Sequence, residues 1–334
     1  MASKPSVLVT GGAGYIGSHA VLALLDAGWP VAVIDNLSTG FRFAVPEGVP
    51  LYEGDIEDAG LLERIFAEQG TQAVMHFAGS IIVPESVEHP LKYYHNNTAK
   101  SRALIEAAVT FGVPHFIFSS TAATYGIPET PQVEEGTPQS PINPYGWSKL
   151  MTERMLADTA AAHPLNYCAL RYFNVAGADP AGRSGQSTAG ATHLIKVAVE
   201  AALGKRASVS VFGTDFDTPD GTGVRDYIHV TDLAAAHVLA LEALIAEPAR
   251  SLTMNCGYGH GYSVLEVLDA VDRVTNMTLE RRMEGRRAGD PPSLISNNAR
   301  IKATLPWIPR YDDLETIVGH ALQWERKLGD IRRD

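Results

Sequence analysis

Val7-Leu8-Val9-Thr10-Gly11-Gly12-Ala13-Gly14-Tyr15-Ile16-Gly17-Ser18-His19 is the stretch on which the reading of this chain turns. The apolar run up to Thr10 reads as a buried strand, and the alanine- and leucine-rich segment from Ile16 to Ala27 reads as a helix. Between them Gly11, Gly14 and Gly17 recur at every third position, and Gly12 offers the alternative Gly-x-Gly-x-x-Gly register. Glycines at this spacing allow a tight turn, let a pyrophosphate approach the backbone, and seat the helix against the strand. The phosphates then meet free N–H groups at the helix start. A second apolar run, Val31–Asp35, ends in a carboxylate 18 residues beyond Gly17. A carboxylate there accepts both hydroxyls of a ribose and repels a 2′-phosphate, so the expected cofactor is NAD rather than NADP.

Working outward, short apolar runs alternate with longer helical patterns. Ser6–Thr10, Val31–Asp35, Ala73–Phe77, His115–Ser119 and Tyr167–Arg171 are predicted strands. Ile16–Ala27, Leu61–Gln69, Leu91–Phe111 and Pro144–Ala162 are the predicted helices between them. Alternation at this spacing builds a parallel sheet covered on both faces. Past residue 175 the pattern loosens into a Gly/Ser/Ala-rich loop, Ala176–Ala191. Short strands at Val209–Phe212 and Leu252–Asn255 and helices at Thr231–Ala246, Ser263–Thr275 and Leu314–Lys327 follow. The expected architecture is α/β: a Rossmann-type doubly wound parallel sheet over residues 1–175, and a smaller mixed α/β domain over 176–334. Some late segments are expected to return to the first domain.

The balance of charge excludes several function classes. Lys and Arg number 27 against 38 Asp and Glu, a net charge of −11, which repels phosphate backbones and anionic membranes. No nucleic-acid or membrane partner is expected. Met1-Ala2-Ser3-Lys4-Pro5 runs straight into a strand without a signal-peptide core, and no stretch of about 18 apolar residues exists to span a bilayer. Cys168 and Cys256 match no metal or redox spacing and read as reduced thiols. The expectation is a cytoplasmic protein without a metal site.

Ligands of parallel sheets bind outside the carboxyl ends of the strands. Gly54-Asp55-Ile56 places a carboxylate and an amide at one such end, beside the adenine. Phe77-Ala78-Gly79 closes another with small residues, suited to a flat cofactor crossing the edge. Phe118-Ser119-Ser120-Thr121 ends a third strand in hydroxyls. One strand later Tyr145-Gly146-Trp147-Ser148-Lys149 opens a helix, so Tyr145 and Lys149 share a face. An ammonium near a phenol stabilises the phenolate and makes it a usable general base. The Tyr-x-x-x-Lys spacing alone is common, but this is its only occurrence in the chain.

With these motifs in hand, the chain resembles the extended short-chain dehydrogenase/reductases, and within them the UDP-glucose 4-epimerases. The likeness runs from the glycine loop through Asp35-Asn36-Leu37, His76-Phe77-Ala78-Gly79, Ser119-Ser120-Thr121-Ala122, Asn143-Pro144-Tyr145-Gly146-Trp147-Ser148-Lys149 and Arg171-Tyr172-Phe173-Asn174. It ends in Asp220-Gly221-Thr222-Gly223-Val224-Arg225-Asp226-Tyr227-Ile228-His229-Val230, the most family-specific run. The resemblance implies that Tyr145 takes the proton of a sugar 4-hydroxyl as hydride leaves C4 for NAD. It gives Lys149 the nicotinamide ribose and the tuning of Tyr145, and Thr121 a bridging hydrogen bond to the substrate oxygen. Tyr15, Ile16, Asn36, Asp55, Ile56, Asn96 and Phe173 join the cofactor side. Asn174, Leu194, Phe212, Arg225, Arg287 and Asp290 fall on the nucleotide side, the two arginines suiting a diphosphate. Relatives pair through a helical bundle, and the long apolar helices Leu91–Phe111 and Pro144–Ala162 imply a two-fold homodimer.

Three positions depart from the family pattern. Ser80-Ile81 stands where a lysine is usual, Thr192-His193 replaces an Asn-Asn pair, and Leu294 replaces a bulky tyrosine near the sugar's C2 side. His193 can still donate to a pyrophosphate oxygen. A smaller residue at 294 leaves room for an N-acetyl group. A 4,6-dehydratase needs a carboxyl pair after the strand-end threonine, and here Ala122-Ala123 follows. A net oxidoreductase would release NADH steadily and has no use for the uridine-side residues. A silent NAD-binding regulator has no use for Thr121, Tyr145 and Lys149. The function expected is interconversion of UDP-galactose and UDP-glucose, with another UDP-sugar as the alternative.

Overall fold

Residues of one strand point alternately to opposite faces, and here both faces are apolar. Val7 and Val9, Val31 and Val33, Ala73 and Met75, and Cys168 and Leu170 enter one buried layer. Leu8, Ala32, Ile34, Val74 and Ala169 enter the other. A sheet with no wet face must be covered twice, which is the physical basis of the doubly wound arrangement. The structure, a computed structural model, describes residues 4–287 and 289–331. Seven parallel strands lie in the order Leu252–Cys256, Asn166–Tyr172, His115–Thr121, Thr71–His76, Ser6–Thr10, Val31–Asp35, Leu51–Glu53. Helices Tyr15–Asp26 and Val230–Ala246 pack on one face, and Ala59–Gln69, Lys100–Thr110 and Pro144–Ala162 cover the other.

The strand order reverses between Ser6–Thr10 and Thr71–His76, so the connections leave in opposite directions and open a crevice at their carboxyl ends. The glycine loop and Phe77-Ala78-Gly79 flank this crevice. Thr10 ties the two strands: its hydroxyl pairs with His76 Nδ1 at 2.6 Å and accepts from the Ala78 N–H at 3.3 Å.

Leu252–Cys256, late in the chain, pairs with Asn166–Tyr172 and forms an edge of this sheet. The remaining strands are short. Val224–Arg225 lies between Ser293–Ser296 and Tyr262–Ser263, Gln132–Val133 adds a further strand beside Ser293–Ser296, and Val209–Phe212 pairs with Arg281–Glu284. Buried Asp226 fastens this region by accepting from the N–H groups of Tyr258, Gly259 and Ser296 and from the Ser296 hydroxyl.

One predicted helix differs. Leu91–Phe111 is not a single regular helix: Pro90–Tyr93 passes through a wide π turn, Tyr94–Ala99, into Lys100–Thr110. The Asn97 carbonyl accepts from the hydroxyls of Ser101 (2.6 Å) and Thr152 (3.0 Å). Hydroxyls inserted into a helical ladder widen it, and the polar run from His95 to Thr98 supplies the site.

Candidate active site

The glycine loop forms a cradle with no room for side chains. Gly11 has φ of +69°, and a methyl group there would lie 2.7 Å from the Ala78 nitrogen. A methyl on Gly17 would lie 2.1 Å from the Gly11 carbonyl oxygen, so the first helix sits directly on the turn. Gly14 caps that helix without a side-chain bond, leaving N–H groups for a phosphate. Asp35, 8% exposed, accepts from the Ala13 N–H at 3.0 Å and the Leu37 N–H at 2.8 Å, one per oxygen. Burial raises its pKa and the two N–H groups counter this. Each oxygen keeps a free lone pair for a ribose hydroxyl. Asp55 is engaged by Lys100 at 2.6 Å and by Asn36 at 3.3 Å.

The path continues without a break toward the hydroxyls. A methyl on Gly79 would lie 2.9 Å from Asn97 Oδ1 and 3.8 Å from Lys149 Nζ. Asn97, 2% exposed, accepts from the Ser80 N–H and donates to the Ser80 carbonyl and the Ser148 hydroxyl, fixing the loop to the Tyr145 helix. Asn143 starts that helix: its side chain accepts from the Gly146 N–H at 2.9 Å, and Pro144 occupies the first turn. The cap sets Tyr145 at the start of this helix, with the Thr121 side chain close enough to act on its phenol.

Burial pushes the Tyr145 pKa up, and the nearby Thr121 side chain draws it back only in part. Burial also pushes the Lys149 amine down to about 8, with Glu153 opposing. In this arrangement the amine donates to the Ser119 carbonyl at 3.0 Å, over the Phe118 ring. Desolvation thus dominates the phenol in this arrangement.

On the other side of the strand end, Leu294 and Phe173 pack together on Ala122, Tyr125 and Val133, the residues that follow Thr121 and their neighbours. Leu294 pairs in register with Arg225, whose guanidinium lies 3.7 Å from the Asp290 carboxylate. The Asp290 N–H donates to the Arg287 carbonyl, and the Arg287 guanidinium stacks 3.6 Å from the centre of the Phe212 ring. A methyl on Gly289 would lie 2.7 Å from Ile142, so this loop rests just ahead of the Tyr145 helix. Asn174, His193 and Leu194 line a cavity together with Tyr15, Gly177 and Tyr227. Among the described residues no cluster of His, Cys, Asp or Glu is built to hold a metal, and no helix is long and apolar enough to cross a membrane.

A glycine-lined track thus leads from the buried Asp35 carboxylate to the Tyr145 phenol, and one comparison decides what kind of protein builds it. Residues 7–257 match the model of the NAD dependent epimerase/dehydratase family. The chain belongs to that family. It is 58% identical to the UDP-glucose 4-epimerase of Azospirillum brasilense over 327 residues, 98% of this chain and 94% of the relative. Among solved structures it is similar to the UDP-glucose 4-epimerase of Brucella ovis in complex with NAD, at 46% identity and a TM-score of 0.92, covering 96% of this chain and 98% of that one. It is also similar to the UDP-Glc/GlcNAc 4-epimerase of Campylobacter jejuni, at 46% identity and a TM-score of 0.85, covering 97% and 99%.

As an epimerase/dehydratase family member the chain carries NAD chemistry, and the side-chain-free cradle with its buried carboxylate fits that cofactor. The side chains of several positions expected on the cofactor side are engaged within the protein itself. The Tyr15 phenol donates to the Gly177 carbonyl at 2.7 Å, leaving its backbone at the helix start. Ile56 is 5% exposed within the core, and Ile16 and Phe77 pack on the opposite layer. Asn96 bonds the Ser80 hydroxyl, while its neighbour Asn97 does the joining work. His193 is exposed at the start of Leu194–Ala202 with no capping bond of its own. Ile81 is 50% exposed. The sequence reading also missed Glu153 and the use made of Arg171. A carboxylate four residues past Lys149 was the available signal.

Proposed function

We infer that the protein is a UDP-glucose 4-epimerase, interconverting UDP-galactose and UDP-glucose with tightly held NAD. The observation that carries the reading is the placement of the Thr121 side chain near the Tyr145 phenol at the end of the glycine-lined track, with Ala122-Ala123 and no acid following Thr121. NAD, held by the glycine loop and Asp35, would supply a reversible hydride acceptor for sugar C4. Thr121 holds the 4-hydroxyl, and Tyr145 Oη receives its proton and later gives it back. Lys149 holds the nicotinamide ribose and keeps a positive charge near the phenol. Arg225 and Arg287 clamp the diphosphate, with Asp290 orienting Arg225. Asn174, Leu194 and Phe212 hold the nucleoside, and His193 reaches the pyrophosphate. We read residues 1–175, together with the returning edge strand, as the NAD unit, and most of 176–334 as the substrate unit.

Purified protein should convert UDP-galactose to UDP-glucose without added NAD and release the nucleotide on denaturation. A nucleotide-free preparation that ignores added NAD would sink the reading.

Leu294 supports a broader substrate range. It flanks Arg225 and the cluster behind Thr121, where a tyrosine ring would fill the space of an N-acetyl group. A few added atoms in such a pocket change discrimination by about 1–3 kcal/mol. UDP-N-acetylhexosamine should therefore turn over measurably, and Leu294→Tyr should cut that activity while sparing the hexose. Equal loss of both would refute it.

We further propose a two-fold homodimer in the cytoplasm. The Pro144–Ala162 helix turns polar Ser148, Lys149, Thr152 and Glu153 inward, while Trp147 and Met151 remain 40% exposed. An inverted helix of this kind supports an apolar partner outside. Free, buried Cys168 and Cys256 fit a reducing compartment.

A further inference from the structure

Glu153 lies one helical turn beyond Lys149 and is 6% exposed. Its carboxylate accepts from Arg171 Nε at 2.9 Å and Nη2 at 2.6 Å, and the Ser120 hydroxyl also donates to it. Arg171, 3% exposed, stands directly beside Ser120 in the parallel register. Its Nη1 reaches the Tyr125 hydroxyl at 3.1 Å, which in turn donates to Asn255 Oδ1 at 2.6 Å. Stability explains such a pair poorly, since desolvating two charges offsets most of their attraction. Its position explains more. The clamped strand end is tied twice to the Pro144–Ala162 helix just before Thr121: the Ser119 carbonyl holds Lys149, and the Ser120 hydroxyl bonds Glu153.

We propose that the buried Glu153–Arg171 pair is a positioning device for the reaction, locking the strand end that carries Thr121 to the helix that carries Tyr145 and Lys149, and supplying the balanced charge against which the Lys149 amine holds its proton. The groups facing that amine leave little else to do so. From its own helix comes Tyr145, and from the strand below come the Ser119 carbonyl and the Phe118 ring at 5.0 Å. From the adjacent strand comes His76, which burial holds neutral with a pKa of about 3. Tyr93 and Tyr172, both next to Tyr145, are raised by burial and stay uncharged. Among the described residues, Glu153 with Arg171 behind it sets the field.

The device makes two predictions of opposite sign. Glu153→Gln removes the anion and leaves the guanidinium, so the Lys149 titration midpoint should fall, by on the order of one pH unit. Arg171→Met leaves the anion and should raise it. Lysine side-chain nitrogen-15 spectra of the NAD-loaded protein without substrate read these midpoints, with Lys149→Arg assigning one signal of eight lysines. The double variant Glu153→Met/Arg171→Met exchanges a buried pair for apolar groups and should fold. Its midpoint should return toward that of the parent, while kcat falls roughly 10–100-fold with KM little changed, because the two reacting elements are no longer held together. Shifts in the same direction, no shift, or a double variant with the parent's kcat would overturn the proposal. If a single variant fails to fold, the double variant decides alone. The kinetic arm rests on the epimerase reading; were the parent inactive, that reading would fall while the lysine titration still judged the pair.

Discussion

Tyr145 must give up and regain a proton in a place where burial disfavours a phenolate, and Thr121 is the neighbour that partly compensates. Tyr145→Phe keeps the ring against Tyr93 and loses the acceptor. Turnover should fall roughly 10²–10⁴-fold, the usual worth of general acid–base catalysis, with KM nearly unchanged. Near-parental turnover would remove Tyr145 from its role. Lys149 adds a pH dependence. With its pKa lowered to about 8, the amine is charged below that pH and neutral above it. Activity that needs the cation should therefore decline as pH rises through about 8, on a kcat/KM profile. At the cofactor end, Gly17→Ala would place a methyl 2.1 Å from the Gly11 carbonyl, forcing helix and turn apart. The purified variant should carry far less NAD than the parent, quantified after denaturation. These residues were legible because their chemistry is written in spacing: glycines three apart, and a tyrosine four before a lysine. Asn97, Glu153 and Arg171 were not, because each acts by meeting a residue far away in sequence.

The Pro144–Ala162 helix shows how an element carries a site. Its start is fixed by Asn143 and Pro144, so the position of Tyr145 depends on a cap rather than on core packing. Asn143→Ala removes one capping bond and should cost about 1 kcal/mol of unfolding free energy. Urea unfolding measures that loss, and a larger drop in kcat than stability alone explains would show that the cap also aims Tyr145. The long helices and central strands were readable from apolar runs because a sheet buried on both faces writes a strong signal. Leu51–Glu53, Val224–Arg225 and Ser293–Ser296 were not: each is short and only partly buried, without the apolar alternation that made the equally short Val209–Phe212 readable. The π turn at Tyr94–Ala99 escaped for another reason: its cause includes the Thr152 hydroxyl, which arrives from a different helix.

At the scale of the molecule, the proposed dimer places a partner on the inverted Pro144–Ala162 helix and on the groove it forms with Lys100–Thr110, where Ile105, Val109 and Met155 lie among the polar Arg102, Glu106, Thr110, Asp158, Thr159 and His163. Light scattering at micromolar concentration should give about twice 35.9 kDa, and Met151→Glu should shift the population toward monomer. A monomeric parent would dismiss the dimer. The α/β class, the glycine loop ahead of Asp35 and the candidate set Tyr145, Lys149 and Thr121 were legible in the chain alone, because local spacing and apolar runs encode them. Folding alone set the strand order, and with it the crevice between Ser6–Thr10 and Thr71–His76. It alone brought Leu252–Cys256 back to the sheet edge, Leu294 beside Arg225, and Glu153 onto Arg171. Contacts between residues tens of positions apart depend on how twisted sheets and packed helices fill space, and a side chain's neighbours there are set by packing rather than by its place in the chain.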